Sequence, residues 1–155
     1  MRLTAFTDFA LRALMRLAGE PDRTFTTDEI AREFAISRNH LTKVVRELAD
    51  GGFVTTQRGA GGGFRLARPA GKITIGEVVR RLEARHAIVE CFRADGGGCV
   101  LTPRCRLKSK LAQAARAFIE ELDRTTLAEC AYTAPRGRSA AIRSPMSAQR
   151  LSGSR

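Results

Sequence analysis

The stretch "TTDEIAREFAISRNHLTKVVRELADGGFVTTQRGAGGGFRLARP", residues 26–69, decides the fold. Thr26 and Glu29 stand at capping-box spacing and open a short helix. Ser37 is a good N-cap for the next helix, whose apolar stripe is Leu41, Val44, Val45 and Leu48 and whose stop is Gly51-Gly52. Only "AIS" separates the two, the tight connection of a helix-turn-helix. "FVTT" and "FRLA" follow as short strand-like runs joined by the glycine-rich "QRGAGGG", which reads as a β-hairpin. A helix-turn-helix followed by such a hairpin is a winged helix.

Upstream, Phe6, Phe9, Ala10, Ala13, Leu14 and Leu17 keep helical spacing and predict a first helix over residues 7–18, with Arg12 and Arg16 on the opposite face. Downstream, "ITIGEVVRRLEARH" gives a fourth helix, with Thr74 and Glu77 again at capping-box spacing. In "RLKSKLAQAARAFIEELDRTTLAEC", Leu107, Leu111, Ala114, Ala115, Phe118 and Leu122 mark an amphipathic helix of roughly twenty residues. An isolated long helix cannot bury its own stripe, which predicts packing against the same helix of a second subunit. The last segment is rich in Ser, Ala, Arg and Pro, has five arginines and no acid from Ala131 onward, and reads as disordered. The fold class expected is therefore mainly α with a small β-hairpin wing. A winged helix-turn-helix domain covers residues 1–84, a cysteine-rich loop 85–105, a dimerisation helix 106–130 and a basic tail 131–155.

A chain of 155 residues buries a real core without disulfide staples. The opening "MRLTAFTDFALRALMRLAGE" has no secretory layout, because Asp8, Arg12 and Arg16 break its apolar run, and no stretch has the length to span a membrane. The expectation is a cytoplasmic protein with reduced thiols. Its net charge of +11 points to an anionic partner such as nucleic acid.

The second helix of a helix-turn-helix enters the major groove with its N-terminal residues at base edges. Here those are Ser37, Arg38, Asn39, His40, Thr42 and Lys43. Arg can bridge guanine O6 and N7, Asn can read adenine, and Ser37 suits a cap and phosphate contact. Arg58 at the wing tip is placed to enter a narrow minor groove, and Gly59 beside it permits close backbone approach. The glycines do not form a nucleotide cradle: Phe64 takes the last position of a G-x-G-x-x-G counted from Gly59, and Gly71-Lys72 is followed by Ile73.

Cys91, Cys99 and Cys105 follow a C-x7-C-x5-C pattern. Zinc knuckles pair their cysteines more tightly, as C-x2–4-C, whereas an iron–sulfur cluster spreads its ligands around an inorganic core and accepts wider gaps. Free thiols and zinc are the alternatives to a cluster. The fourth coordination place has three candidates: Cys130, placed more than about 30 Å away by an intervening helix; His86, outside the loop; and Asp8. Asp8 also suits the positive N-terminus of its own helix with no metal role. The two histidines make no nucleophile–base motif, so an enzyme is not expected.

Together, "MRLTAFTDFALRAL", "SRNHLTKVV", "RGAGGGFRLARPA", "IGEVVRRLE" and three cysteines followed by "RLK" resemble the Rrf-two family of winged-helix transcription regulators over residues 1–129. The resemblance implies a homodimer crossed through its long helices, bound to a palindromic operator on double-stranded DNA, with one cluster per subunit. In the family's cluster-assembly branch a histidine ligand follows the last cysteine by three residues, where this chain has Lys108, which argues against that two-iron centre. The nitric-oxide-sensing branch carries an aspartate in the first helix where Asp8 stands. That likeness implies Asp8, reaching from the other subunit, as fourth ligand, a 4Fe-4S in preference to a 2Fe-2S cluster, and a repressor released by nitric oxide. A regulator of the same family responding to iron or cluster supply shares every one of these residues. An iron–sulfur electron carrier is the alternative from another class, and salt-dependent binding to a specific duplex separates it.

Overall fold

The computed structural model describes residues 2–59, 61–84 and 86–135. Most of the basic tail, residues 136–155, lies outside the described residues, and with it the expectation that the tail is disordered.

Helix α1 runs Ala5–Gly19 and starts on Thr4, whose hydroxyl accepts from the Thr7 amide at 3.2 Å. Ala10, Ala13, Leu14 and Leu17 are fully buried, while Phe6 and Phe9 pack against the core half-buried. Arg16 corrects the expected polar face, because it is only 3% exposed. Its Nε lies 3.0 Å from both carboxylate oxygens of Glu33 and its Nη2 2.7 Å from Glu20, so the buried charge is neutralised on two sides. Its guanidinium also stacks 4.6 Å from the Phe25 ring centre.

Helix α2 is Thr27–Glu33, with both halves of the Thr26–Glu29 capping box formed. Helix α3 is Arg38–Asp50, capped by Ser37 as expected. The turn between them puts Ala35 at φ 53, a left-handed conformation that usually belongs to glycine, and lets buried Ile36 donate to the Ala31 carbonyl at 2.9 Å. Strands β1 (Val54–Gln57) and β2 (Gly63–Leu66) pair antiparallel with Val54 opposite Leu66 and Gln57 opposite Gly63. Phe25 adds a third, single-residue strand: it exchanges backbone hydrogen bonds with Phe64 at 3.0 and 2.8 Å. Gly63 is needed there, since a Cβ would lie 2.3 Å from the Phe25 carbonyl oxygen.

Helix α4 (Ile75–Glu83) starts on Thr74, which accepts from the Glu77 amide at 3.1 Å. The Glu77 carboxylate does not return to close a box as in α2; it pairs with Arg68 at 2.5 Å. Helix α5 is Arg106–Asp123 and packs on α4 so closely that a Cβ on Gly76 would lie 2.2 Å from Asp123. The helix expected over residues 106–130 therefore ends at Asp123. Beyond it the backbone turns into the core: Ile75 donates to the Thr125 carbonyl, Leu127 donates to that of Ile73, and the Leu127 side chain is fully buried. The tail drawn from residue 131 also begins later, because the Tyr132 amide reaches the Met15 carbonyl at 2.9 Å.

Candidate nucleic-acid interface and metal centre

The N-terminus of α3 and the wing lie on either side of one cleft. Its walls include Asp28 at the start of α2, Arg38 on α3, and Thr56, Gln57 and Gly62 on the hairpin. Burial of Leu41, Val44, Val45 and Leu48 fixes the roll of α3 and leaves Ser37, Arg38, Asn39, His40, Thr42 and Lys43 exposed. Ser37 is committed to the helix, its hydroxyl accepting from the His40 amide at 3.2 Å. His40 leans toward α1, with its ring 6.4 Å from that of Phe9. Arg58 and Gly59 are exposed at the hairpin end, and Gly59 takes φ 99, which favours glycine. The residue that sequence spacing missed is Asp28, which holds Arg38 through a 3.1 Å ion pair across the helix-turn-helix. Its signal was present, because the Thr26–Glu29 box fixes the first turn of α2 and therefore the place of Asp28.

The cysteine loop folds over itself. Cys91 sits in a 3-10 turn, Glu90–Phe92, and the Glu90 carboxylate accepts from the Gly98 amide at 3.0 Å, which draws the Cys91 and Cys99 segments together. Gly97 at φ 59 permits that return, since a Cβ there would lie 2.5 Å from the Glu90 carbonyl oxygen. From Cys99 the chain winds through a second 3-10 turn, Thr102–Arg104, to Cys105 at the N-cap of α5. The Cys105 side chain makes no capping hydrogen bond, so the amides of the first turn keep their donors and their positive field. All four cysteines are free thiols and half-buried.

Asp8 does not join this loop within the chain. It lies in the first turn of α1 and is ion-paired with Arg12 at 2.7 Å, both about half exposed. His86 is exposed beside Glu83, and Cys130 packs on the core past the far end of α5. Among the described residues no three His, Cys, Asp or Glu side chains converge tightly enough to hold a single metal ion. A multi-iron cluster asks less, because its ligands are spread around an inorganic core. Two observations fit such an anionic, thiolate-bound group: the uncapped helix end at Cys105, and the Thr102 hydroxyl oxygen, buried with no hydrogen-bond partner between Cys99 and Cys105.

A winged helix-turn-helix joined to a three-cysteine loop and a long helix defines a class of transcriptional regulator. The chain belongs to the Rrf2 family, described as iron-dependent transcriptional regulators, whose pattern it matches over residues 3–133. It is 47% identical over 131 residues to the HTH-type transcriptional regulator NsrR of Geobacillus kaustophilus, covering 83% of this chain and 88% of that one. Solved structures with the same architecture include oxidised CymR of Staphylococcus aureus (TM-score 0.66, 26% identity, 87% of this chain and 99% of that one). Another is IscR of T. potens (TM-score 0.66, 24% identity, 83% and 85%), a likeness of fold alone. No described helix is long and apolar enough to cross a membrane.

Proposed function

We propose that the protein is a homodimeric repressor that holds an iron–sulfur cluster on Cys91, Cys99 and Cys105 and lets go of its operator in response to nitric oxide. The observation that carries this reading is the folding of three free thiols into one loop that ends on the uncapped N-terminus of α5. When bound, the cluster supplies iron that nitric oxide can attack. The chain's own residues do the rest. The three thiolates tie the loop to α5, and Asp8 from the partner subunit's α1 completes the ligand set, consistent with its lack of a role in the loop of its own chain. Lys108 cannot serve as the ligand that a histidine provides in the two-iron branch, which favours a 4Fe-4S centre.

The dimer is supported by α5, of which no residue is fully buried. Ile88, Leu111, Ala114, Ala115 and Phe118 line an apolar hollow of about 290 Å³ along it. Val100, Leu101 and Leu107 continue the apolar surface past the cysteines, 91%, 65% and 61% exposed. A second copy covering that surface brings its α1, and Asp8 with it, toward the loop. The division of labour is then a DNA-binding domain over residues 1–84, a cluster loop over 85–105 and a dimer helix beginning at 106.

On DNA, Arg38, Asn39, His40 and Lys43 face the major groove, Ser37 faces phosphate, and Arg58 with Gly59 follows the minor groove. The cluster ligands set the angle between the two α3 helices, and that angle decides whether both fit successive major grooves of a palindromic operator. A role on DNA fits a cytoplasmic protein. The family's description as iron-dependent favours a second reading, a response to iron or cluster supply, and parallel exposure to nitric oxide and to an iron chelator separates the two. The test of the cluster itself is an anaerobic absorption and native mass spectrum. Four iron and four sulfide per subunit bear out the proposal, and a colourless, metal-free protein after reconstitution overturns it.

A further inference from the structure

The Arg38–Asp28 pair is too exposed to serve chiefly in stability. The two side chains are 71% and 45% exposed, a setting in which ion pairs contribute little to folding. Its geometry is more informative. Asp28 takes the Nε edge of the guanidinium at 3.1 Å and is its one ion-pair partner among the described residues. Engagement at Nε leaves the Nη1–Nη2 end available to DNA, and two parallel N–H donors there match guanine O6 and N7. The anchor is itself anchored, since Asp28 sits in the first turn of α2, where the Thr26 amide donates to Glu29 at 2.7 Å and Glu29 pairs with Arg23. The ion pair thus biases a flexible arginine across the helix-turn-helix before any DNA arrives.

We propose that Asp28 is a specificity-determining residue: it buttresses Arg38 into the orientation that reads guanine and penalises every other base at that position. The inference rests on the reading of α3 as the major-groove helix. Two effects act in the same direction. Holding the guanidinium removes the ordering loss that a free side chain suffers on binding. When guanine is absent, a carboxylate close to the duplex meets no compensating bridge and repels the phosphates, so non-specific binding is weakened.

The test uses the full-length protein and a duplex selected from random sequence, then varied one base pair at a time. Arg38→Ala identifies the base pair that Arg38 reads, as the position where discrimination disappears. At that position Asp28→Ala should lower discrimination about threefold, with Asp28→Asn intermediate. Both should bind non-specific DNA more tightly than wild type and melt within a few degrees of it, the small loss expected for one acid at a helix N-terminus. Arg38→Ala combined with Asp28→Ala should discriminate no worse there than Arg38→Ala alone. Discrimination that is lost in Arg38→Ala and unchanged in Asp28→Ala overturns the role of Asp28 and leaves the reading helix intact. Unchanged discrimination at every position in Arg38→Ala overturns base reading by Arg38 and this proposal with it.

Discussion

Glu83, the last residue of α4, accepts a 2.5 Å hydrogen bond from the hydroxyl of Thr7 on the first turn of α1. The same oxygen accepts from the Thr4 amide and hydroxyl, each at 2.8 Å. One carboxylate therefore ties the end of α4, where the cysteine loop begins, to the start of the helix that carries Asp8. Burial pushes the Glu83 carboxyl up, but the hydrogen bonds from Thr7 and Thr4 and the nearby His86 together hold it below the usual glutamate range.

A carboxylate whose folded pKa is depressed adds stability above its unfolded pKa, and that stability is lost as pH falls through the folded value. Glu83→Gln should therefore melt below wild type at pH 7, by about 1–2 kcal/mol for hydrogen bonds to a charged acceptor. The gap should narrow as pH falls below about 4.3, the ordinary glutamate pKa. Thermal melts across that range check it, and a gap independent of pH contradicts it.

Arg16 is closed in by Glu20, Glu33 and Phe25, and Phe25 carries the wing through Phe64. Burial opposes its charge, yet the two carboxylates leave its pKa raised. Arg16→Met leaves the partly exposed Glu20 and Glu33 without their shared partner and should cost about 1–2 kcal/mol. Denaturant unfolding at neutral pH measures this, and a loss within experimental error removes the pair from the account of stability.

Ala35 holds a left-handed backbone in the turn of the helix-turn-helix. Glycine adopts that conformation without a Cβ penalty, so Ala35→Gly should stabilise the protein by about 0.5–1 kcal/mol despite the extra freedom of the unfolded chain. Calorimetry giving a lower melting temperature would show that the turn carries no strain.

The thiols divide into two groups. Cys91→Ala, Cys99→Ala and Cys105→Ala should each abolish iron and sulfide binding, whereas Cys130→Ala should retain both. Asp8→Ala should still bind a cluster but with an altered absorption spectrum and faster loss in air. Iron and sulfide assays on anaerobically reconstituted protein check these outcomes. An unchanged Asp8→Ala spectrum would take Asp8 out of the ligand set.

Arg58 is exposed at the wing. Arg58→Ala should weaken operator binding about tenfold and reduce the slope of log affinity against log salt by about 1. Equal affinity at matched salt would take the wing arginine out of the interface.

The winged helix was legible because its signals are local. Ser37, the Thr26–Glu29 box and the Leu41–Val44–Val45–Leu48 stripe each act within one helix turn of themselves. What was hidden depends on contacts far along the chain. Arg16 has polar spacing and is buried only because Glu33 and Phe25 come to meet it. Phe25 belongs to a sheet through a single residue, too short for alternation to reveal. Leu127 lies within the stretch expected as one long helix, but its amide is taken by the Ile73 carbonyl and α5 ends at Asp123. The three cysteines were conspicuous as donors. The pairing of Asp28 with Arg38 was not, since it joins two helices across a turn. The partner of Asp8 is equally invisible in one chain, because the ligand set is proposed to close between two.

The most direct test is a titration of operator duplex with anaerobically prepared protein in three forms: cluster-loaded, cluster-free and nitric-oxide-treated. The account predicts tight binding by the first and a loss of at least tenfold in the other two, the scale of a coupling free energy of about 1–3 kcal/mol. Equal affinity across the three forms would contradict it.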